Sequence, residues 1–304
     1  MHSKSTHAGV RISQPHGNPR YAEVPAGTAL APHVACFWSF EIPEQALPFR
    51  HAIIPDGTVS LALVQRRAPV ARLLTVTGPS PNARWVTVSP GDTFRGVRLL
   101  PGAAPVLLGI ATRALQAQSQ PLSSLNPTLA QALLEPLARA ETSHQVFHAM
   151  AQALSPLAAR APQLDPIISR TVDVLQRAHG NARVCTLAKH SDISERQLRR
   201  RFHAAVGLTP KQFSRAIRVR SACIRLAMSP TTSLATIAHE TGYADQAHLS
   251  REFSQVFGSR ASGLSALIRG YQHGTFEGLL ADEGLRGREC PIRSRQPTMG
   301  AGIK

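Results

Sequence analysis

Arg196, Arg199 and Arg200 share one face of any helix that contains them, because residues three and four apart are neighbours on a helix surface. A guanidinium can fork two hydrogen bonds onto guanine O6 and N7, each such pair giving roughly 1–3 kcal/mol of base discrimination. Further along, Gln246, Ala247, Ser250 and Arg251 form a second polar set with different chemistry. Gln suits adenine N6 and N7, Arg suits guanine, and Ala can touch a thymine methyl. The plainer reading of the arginine cluster is a solvated basic face that meets phosphates only, which carries no sequence information. A second face of different chemistry favours base reading and predicts two half-sites of different sequence.

These residues sit in two imperfect copies of one unit. Residues 187–207 read LAKHSDISERQLRRRFHAAVG and residues 237–258 read IAHETGYADQAHLSREFSQVFG. Leu187-Ala188 matches Ile237-Ala238, Leu198 and Phe202 match Leu249 and Phe253, and Gly207 matches Gly258. Each copy predicts a short helix, a turn and a longer helix, the outline of a helix-turn-helix whose second helix enters a major groove. Ser194 and Gln197 fit a capping box at the start of the first reading helix, and Asp245 stands at the N-cap of the second. Leu198 with Phe202, and Leu249 with Phe253, are the expected buried stripes, whereas Arg201 is rotated away from the reading face. Thr209-Pro210-Lys211-Gln212 opens a connecting helix whose apolar residues Phe213, Ala216, Ile217, Ile224 and Ala227 can hold both units. Ser194, Gln197, Lys211, Arg215, Arg218 and His248 are candidates for phosphate contact, although partial burial suits His248 better. Arg220 suits a buried ion pair equally well.

The chain has 304 residues and a formal charge of +16, a balance that favours a polyanionic partner. The charge is concentrated: residues 166–270 hold sixteen basic and six acidic residues, whereas residues 1–165 carry only +5 and the remainder +1. Cys36, Cys185, Cys223 and Cys290 are scattered, with no CxxC pair, as expected of reduced thiols. Residues 1–20 lack the apolar stretch of a signal peptide, and no run approaches the ~20 apolar residues of a membrane span. A cytoplasmic protein with no membrane association is expected.

The pattern predicts an α+β chain with two domains. Residues 1–20 read as a disordered arm. Over 21–154, β-prone runs at Val34–Phe40, Val59–Val64, Leu73–Thr77, Trp85–Val88, Gly96–Leu100 and Val106–Ile110 alternate with Pro55-Asp56-Gly57, Gly78-Pro79, Pro90-Gly91 and Pro101-Gly102 turns. This spacing argues for a small antiparallel sheet or barrel, followed by helical sequence from about 112. Residues 155–165 read as a linker. Asp165 caps a helix opened by Pro166, beginning an all-α region over 166–270, and residues 271–304 read as mostly disordered.

With these residues in view, 166–270 closely resembles the DNA-binding domain of AraC/XylS-type bacterial transcription regulators. LAKHSDISERQLRRRFHAAVGLTPKQFSR and LATIAHETGYADQAHLSREFSQVFG carry the resemblance, the GYADQAHLSREF run most specifically. It implies seven helices, with two reading helices in successive major grooves. Base contacts then fall on Arg196, Arg199, Arg200, Gln246, Ala247, Ser250 and Arg251. One departure is Ser259-Arg260-Ala261-Ser262, where the family usually has Pro, so the start of the last helix lacks its usual marker. Residues 33–135 resemble, through His33-x4-Trp38, Pro55-Asp56-Gly57, Gly78-Pro79 and Val97-Arg98-x2-Pro101-Gly102-Ala103, an N-terminal domain of some such regulators. The resemblance implies double-stranded DNA and RNA polymerase as partners and a small-molecule effector at the N-terminal domain. Monomer and homodimer both remain open. Arg98 suits a structural carboxylate better than an anionic ligand.

Neither a cofactor nor an enzymatic activity is expected. A cupin-type metal site needs an H-x-H pair, and His33 and His51 are isolated. Cys36 alone cannot build a zinc site, and GxxxxGK[ST] is absent. A non-specific architectural DNA-binding protein is the alternative, which the basic excess alone would allow.

Overall fold

Side-chain alternation along four strands sets the architecture of the N-terminal half. The computed structural model describes residues 19–258 apart from residue 230. Its strands are β1 (Arg20–Pro25), β2 (Val34–Glu41), β3 (Phe49–Ile53), β4 (Ser60–Arg67), β5 (Val70–Thr77), β6 (Arg84–Val88), β7 (Thr93–Leu99) and β8 (Ser119–Pro121). Six of them pair antiparallel in the order β1-β2-β7-β4-β5-β8, and β3 and β6 form a separate ribbon. Leu61, Leu63, Val76, Val97 and Leu99 point to one face of the sheet and are buried. Their neighbours Ala62, Val64, Thr75, Phe94 and Arg98 point to the other, as the two-residue period of a strand requires.

The first face is covered by α1 (Ala103–Leu108), α2 (Leu122–Leu125), α3 (Pro127–Ala138) and α4 (Ser143–Arg160), which bury Leu107, Leu122, Leu133, Met150 and Leu154 against it. Two arginines fix these helices. Arg72 donates to the carbonyls of Leu137 and, at 3.0 Å, of Ala140, satisfying the end of α3. Arg95 reaches Gln65, Glu41 and the Ser143 hydroxyl at 2.7–3.0 Å, which seats the start of α4.

Two expectations are corrected here. Val106–Ile110 is not a strand: α1 runs from Ala103 to Leu108, a short apolar run whose period cannot distinguish helix from strand. The linker is shorter than 155–165, because α4 continues to Arg160 with Pro156 inside it. The Ser155 hydroxyl donates to the Ala151 carbonyl at 2.7 Å in the turn that Pro156 disturbs. What remains of the linker is pinned by His33, whose Nε2 lies 3.1 Å from the Pro162 carbonyl.

The C-terminal half comprises α5 (Pro166–Arg177), α6 (Val184–His190), α7 (Glu195–Val206), α8 (Pro210–Met228), α9 (Leu234–Glu240) and α10 (Gln246–Phe257). The seventh helix of the resemblance, the Ser259–Ser262 departure, Cys290, residues 1–18 of the arm and the tail 271–304 lie outside the described residues. Helix α8 serves two cores. Its first half sends Phe213 and Ile217 into a cluster with Leu175, Leu198 and Phe202, and its second sends Val219, Ala222 and Leu226 into one with Ile237, Leu249 and Phe253. Among the described residues no helix is long and apolar enough to cross a membrane.

Candidate nucleic-acid interface

Helix α7 is fixed at its start, along its inner stripe and at its end. Ser194 accepts from the Gln197 backbone N–H at 3.2 Å while Gln197 Oε1 accepts from the Ser194 N–H at 2.9 Å, completing the capping box. Leu198 and Phe202 are fully buried, with Phe202 edge-on to Phe213 at 5.5 Å. Gly207 ends the helix in a left-handed turn, its N–H donating to the His203 carbonyl. This anchoring leaves Arg196, Arg199 and Arg200 exposed. Arg199 pairs with Glu195 at 2.6 Å, with both side chains largely in solvent, a contact weak enough for DNA to displace. Arg201 instead turns back to Asp165 Oδ2 at 2.7 Å. The same carboxylate accepts from Ile167 N–H as the cap of α5.

Helix α10 repeats the arrangement with other residues. Asp245 caps it through the His248 N–H at 2.6 Å, and Leu249 and Phe253 are buried. Gln246, Ala247 and Arg251 are exposed, and Ser250 is half-buried. Each set of proposed readers therefore shares a helix surface, and both surfaces stay open with the N-terminal half in place.

The candidates for phosphate contact divide. Lys211 is exposed on the first turn of α8, and Ser194 and Gln197 are exposed but spent on the cap. His248 is half-buried and edge-on to Tyr243 at 5.2 Å. Arg215 and Arg218 are engaged within the fold. Arg215 donates to Asn82 Oδ1 at 3.0 Å, and Arg218 pairs with Glu252 at 2.8 Å and lies over the Tyr243 ring at 5.1 Å. Sequence displays such charges but not their partners, which for Arg215 lie 133 residues away.

The Asn82 contact belongs to a wider docking surface. The Thr112 hydroxyl donates to the Ala205 carbonyl at 3.1 Å, at the end of α7. A Cβ at Gly207 would come within 3.1 Å of Pro79, and at Gly57 (φ +73°) within 2.3 Å of the Phe213 ring. At the end of α10 the Ala83 N–H donates to the Val256 carbonyl and Trp85 Nε1 to the Phe257 carbonyl, both at 2.9 Å. The turns Pro55-Asp56-Gly57 and Gly78-Pro79, legible in the sequence as turns, thus lie against the helical half. Asn82, Ala83 and Trp85 carried no such signal, since nothing in a strand's pattern tells which distant carbonyl it will meet.

Arg98 sits in a buried ionic cluster with Glu23 (2.6 Å), Asp56 (3.3 Å) and the Tyr21 hydroxyl (3.0 Å). Beside it, between the outer face of the sheet and the β3–β6 ribbon, lies a cavity of about 610 Å³ that reaches Phe257 of α10. Among the described residues no group of three or more His, Cys, Asp or Glu could hold a metal ion.

Residues 187–265 match the model of a helix-turn-helix domain family, and residues 22–121 match a domain of unknown function (DUF6597). No curated protein matches the chain. Among solved structures, the C-terminal domain of AraT, a response regulator from Geobacillus stearothermophilus, is 22% identical. That match covers 36% of this chain and 87% of that one, with a TM-score of 0.31. ToxT from Vibrio cholerae is 10% identical over 76% of this chain and 97% of its own, with a TM-score of 0.38.

Proposed function

We propose that this chain, which carries an AraC-type helix-turn-helix domain behind a DUF6597 domain, is a sequence-specific transcription regulator reading two successive major grooves. The observation that carries the proposal is the pair of equivalent helices α7 and α10. Each is buried on an apolar stripe and exposes a polar face of its own composition. In this reading Arg196, Arg199 and Arg200 contact guanines in one half-site. Gln246, Ala247, Ser250 and Arg251 read the other, with Lys211 a phosphate anchor. Regulation then comes through the N-terminal half, which touches the ends of both reading helices. RNA polymerase is the partner on which a DNA-bound regulator of this type would act.

The test is selection of random DNA by the full chain at physiological salt. The reading expects an asymmetric bipartite consensus with half-sites about one helical turn (~10 bp) apart. Arg199→Ala should relax preference in one half-site and Arg251→Ala in the other, each by roughly 1–3 kcal/mol at the affected base. Tight, steeply salt-dependent binding with no consensus would show an architectural binder instead.

A further inference from the structure

We propose that the cavity between the sheet and the β3–β6 ribbon is a receptor site for a small, mostly apolar molecule bearing one anionic group, with Arg84 as the residue that reads the anion. The inference deepens the proposed regulation and rests on it only for the effect on DNA binding. At about 610 Å³ the cavity falls within the usual range for small-molecule sites, roughly 300–1,000 Å³. Its walls include Trp38, Phe40, Phe94, Trp85 and Phe257, flat apolar surfaces that suit a ring system or hydrocarbon better than a sugar.

The charges in the wall select the occupant's polar end. Arg66 is matched by the buried carboxylate of Asp92 at 2.8 Å, Arg98 by Glu23 and Asp56, and Arg220, which also lines the wall, is engaged in the fold. Arg84 has no carboxylate at ion-pair distance among the described residues and only a 3.5 Å approach to the Gln118 carbonyl. Burial lowers its pKa below the ordinary value, and the attraction of Asp56, acting the other way, only partly offsets it. Trp38 Nε1 is a second buried donor with no hydrogen-bond partner among the described residues. A guanidinium and an indole N–H short of acceptors, within aromatic walls, complement an anion on an apolar body.

The position of Arg84 supplies the coupling. It lies between Ala83 and Trp85, whose N–H groups hold the last carbonyls of α10, while Phe257 itself lines the cavity. An occupant drawn to Arg84 therefore acts on the strand that holds the second reading helix, and linkage requires that DNA in turn alter the occupant's affinity.

The experiment titrates the full chain, without DNA, with 8-anilinonaphthalene-1-sulfonate and with its uncharged relative N-phenyl-1-naphthylamine. The expected result is saturable binding of one sulfonate per chain. Arg84→Gln should weaken it roughly tenfold while leaving the uncharged probe within about twofold. Thr75→Trp, which fills the cavity from a half-buried strand position, should abolish sulfonate binding. Both variants are scored by circular dichroism and thermal melting, and only chains that melt like the parent are compared. No saturable binding, equal sulfonate affinity in Arg84→Gln, or undiminished binding in Thr75→Trp would each overturn the assignment. Because the readout contains no DNA, these outcomes stand apart from the fate of the DNA-binding proposal, which the selection experiment decides.

Discussion

Guanidinium groups in the helical half take their roles from the carboxylates they meet. Arg199 touches Glu195 in solvent, whereas Arg218 touches Glu252, whose side chain is only 12% exposed. Removing one partner of a surface pair costs little, but removing one partner of a buried pair strands a charge. Arg199→Ala should therefore change urea stability by less than about 0.5 kcal/mol while losing base preference. Arg218→Ala should cost about 3 kcal/mol and weaken binding only through unfolding. A second contrast concerns protons. His51 is half-buried between Phe40, at 4.7 Å, and Phe49, and desolvation of its ring lowers its pKa to about 4. Its neutral ring contributes stability in full above the unfolded-state pKa of about 6.5. That contribution is lost as pH falls from there toward 4, by about 1.4 kcal/mol per pH unit. Urea unfolding at pH 7 and pH 5 should show a drop of about 2 kcal/mol in the parent. The drop should be clearly smaller in His51→Phe, with a remainder from His179, whose pKa burial also lowers, and equal drops would remove His51 as a source.

At the scale of the element, caps and stripes were legible where they are local. Ser194-x-x-Gln197, Thr209-x-x-Gln212 and Asp165-Pro166 each announce a helix start, because the donor, acceptor and backbone they satisfy lie within three residues. Ser194→Ala should cost about 1 kcal/mol, measured by urea unfolding, and Ser194→Asp should recover most of it. The repeat likewise made α7 and α10 readable, since Leu198 with Phe202 and Leu249 with Phe253 state their own period. What sequence did not disclose depends on distant partners. Strand β1, RYAEVP, carries no clear alternation of polar and apolar residues and holds its place by pairing with β2. The ribbon strand β3 is short, and Val106–Ile110 has no period long enough to separate helix from strand. Pro156 reads as a breaker, yet α4 continues through it because Leu154 and Ala158, on either side, are buried in the core. Within the site, the exposed polar faces proposed to read bases were legible as exposed faces, and the docked arginines were not legible as docked, for the same reason.

At the scale of the whole molecule, the two halves are joined by specific contacts rather than by the linker alone. Gly57 is the tightest point, with a left-handed φ and a missing Cβ against Phe213. Gly57→Val should strain the backbone and push the ring away, separating the halves without unfolding either. Limited proteolysis at residues 161–165 should speed up several-fold while each half keeps its melting transition. Residues 79–85 make the longer-range connection. Pro79 and Asn82 meet Gly207 and Arg215 beside the first reading helix, and Ala83 and Trp85 hold the end of the second. If α7 and α10 read DNA as proposed, these seven consecutive residues act as a gauge block between two tools, and the quantity they set is phase along the duplex. One added base pair between the half-sites turns one of them by about a tenth of a turn. The intact chain should discriminate sharply against that insertion in a competition assay, and Asn82→Ala combined with Trp85→Phe should tolerate it. A regulator built this way would choose its promoters by their spacing as much as by their letters.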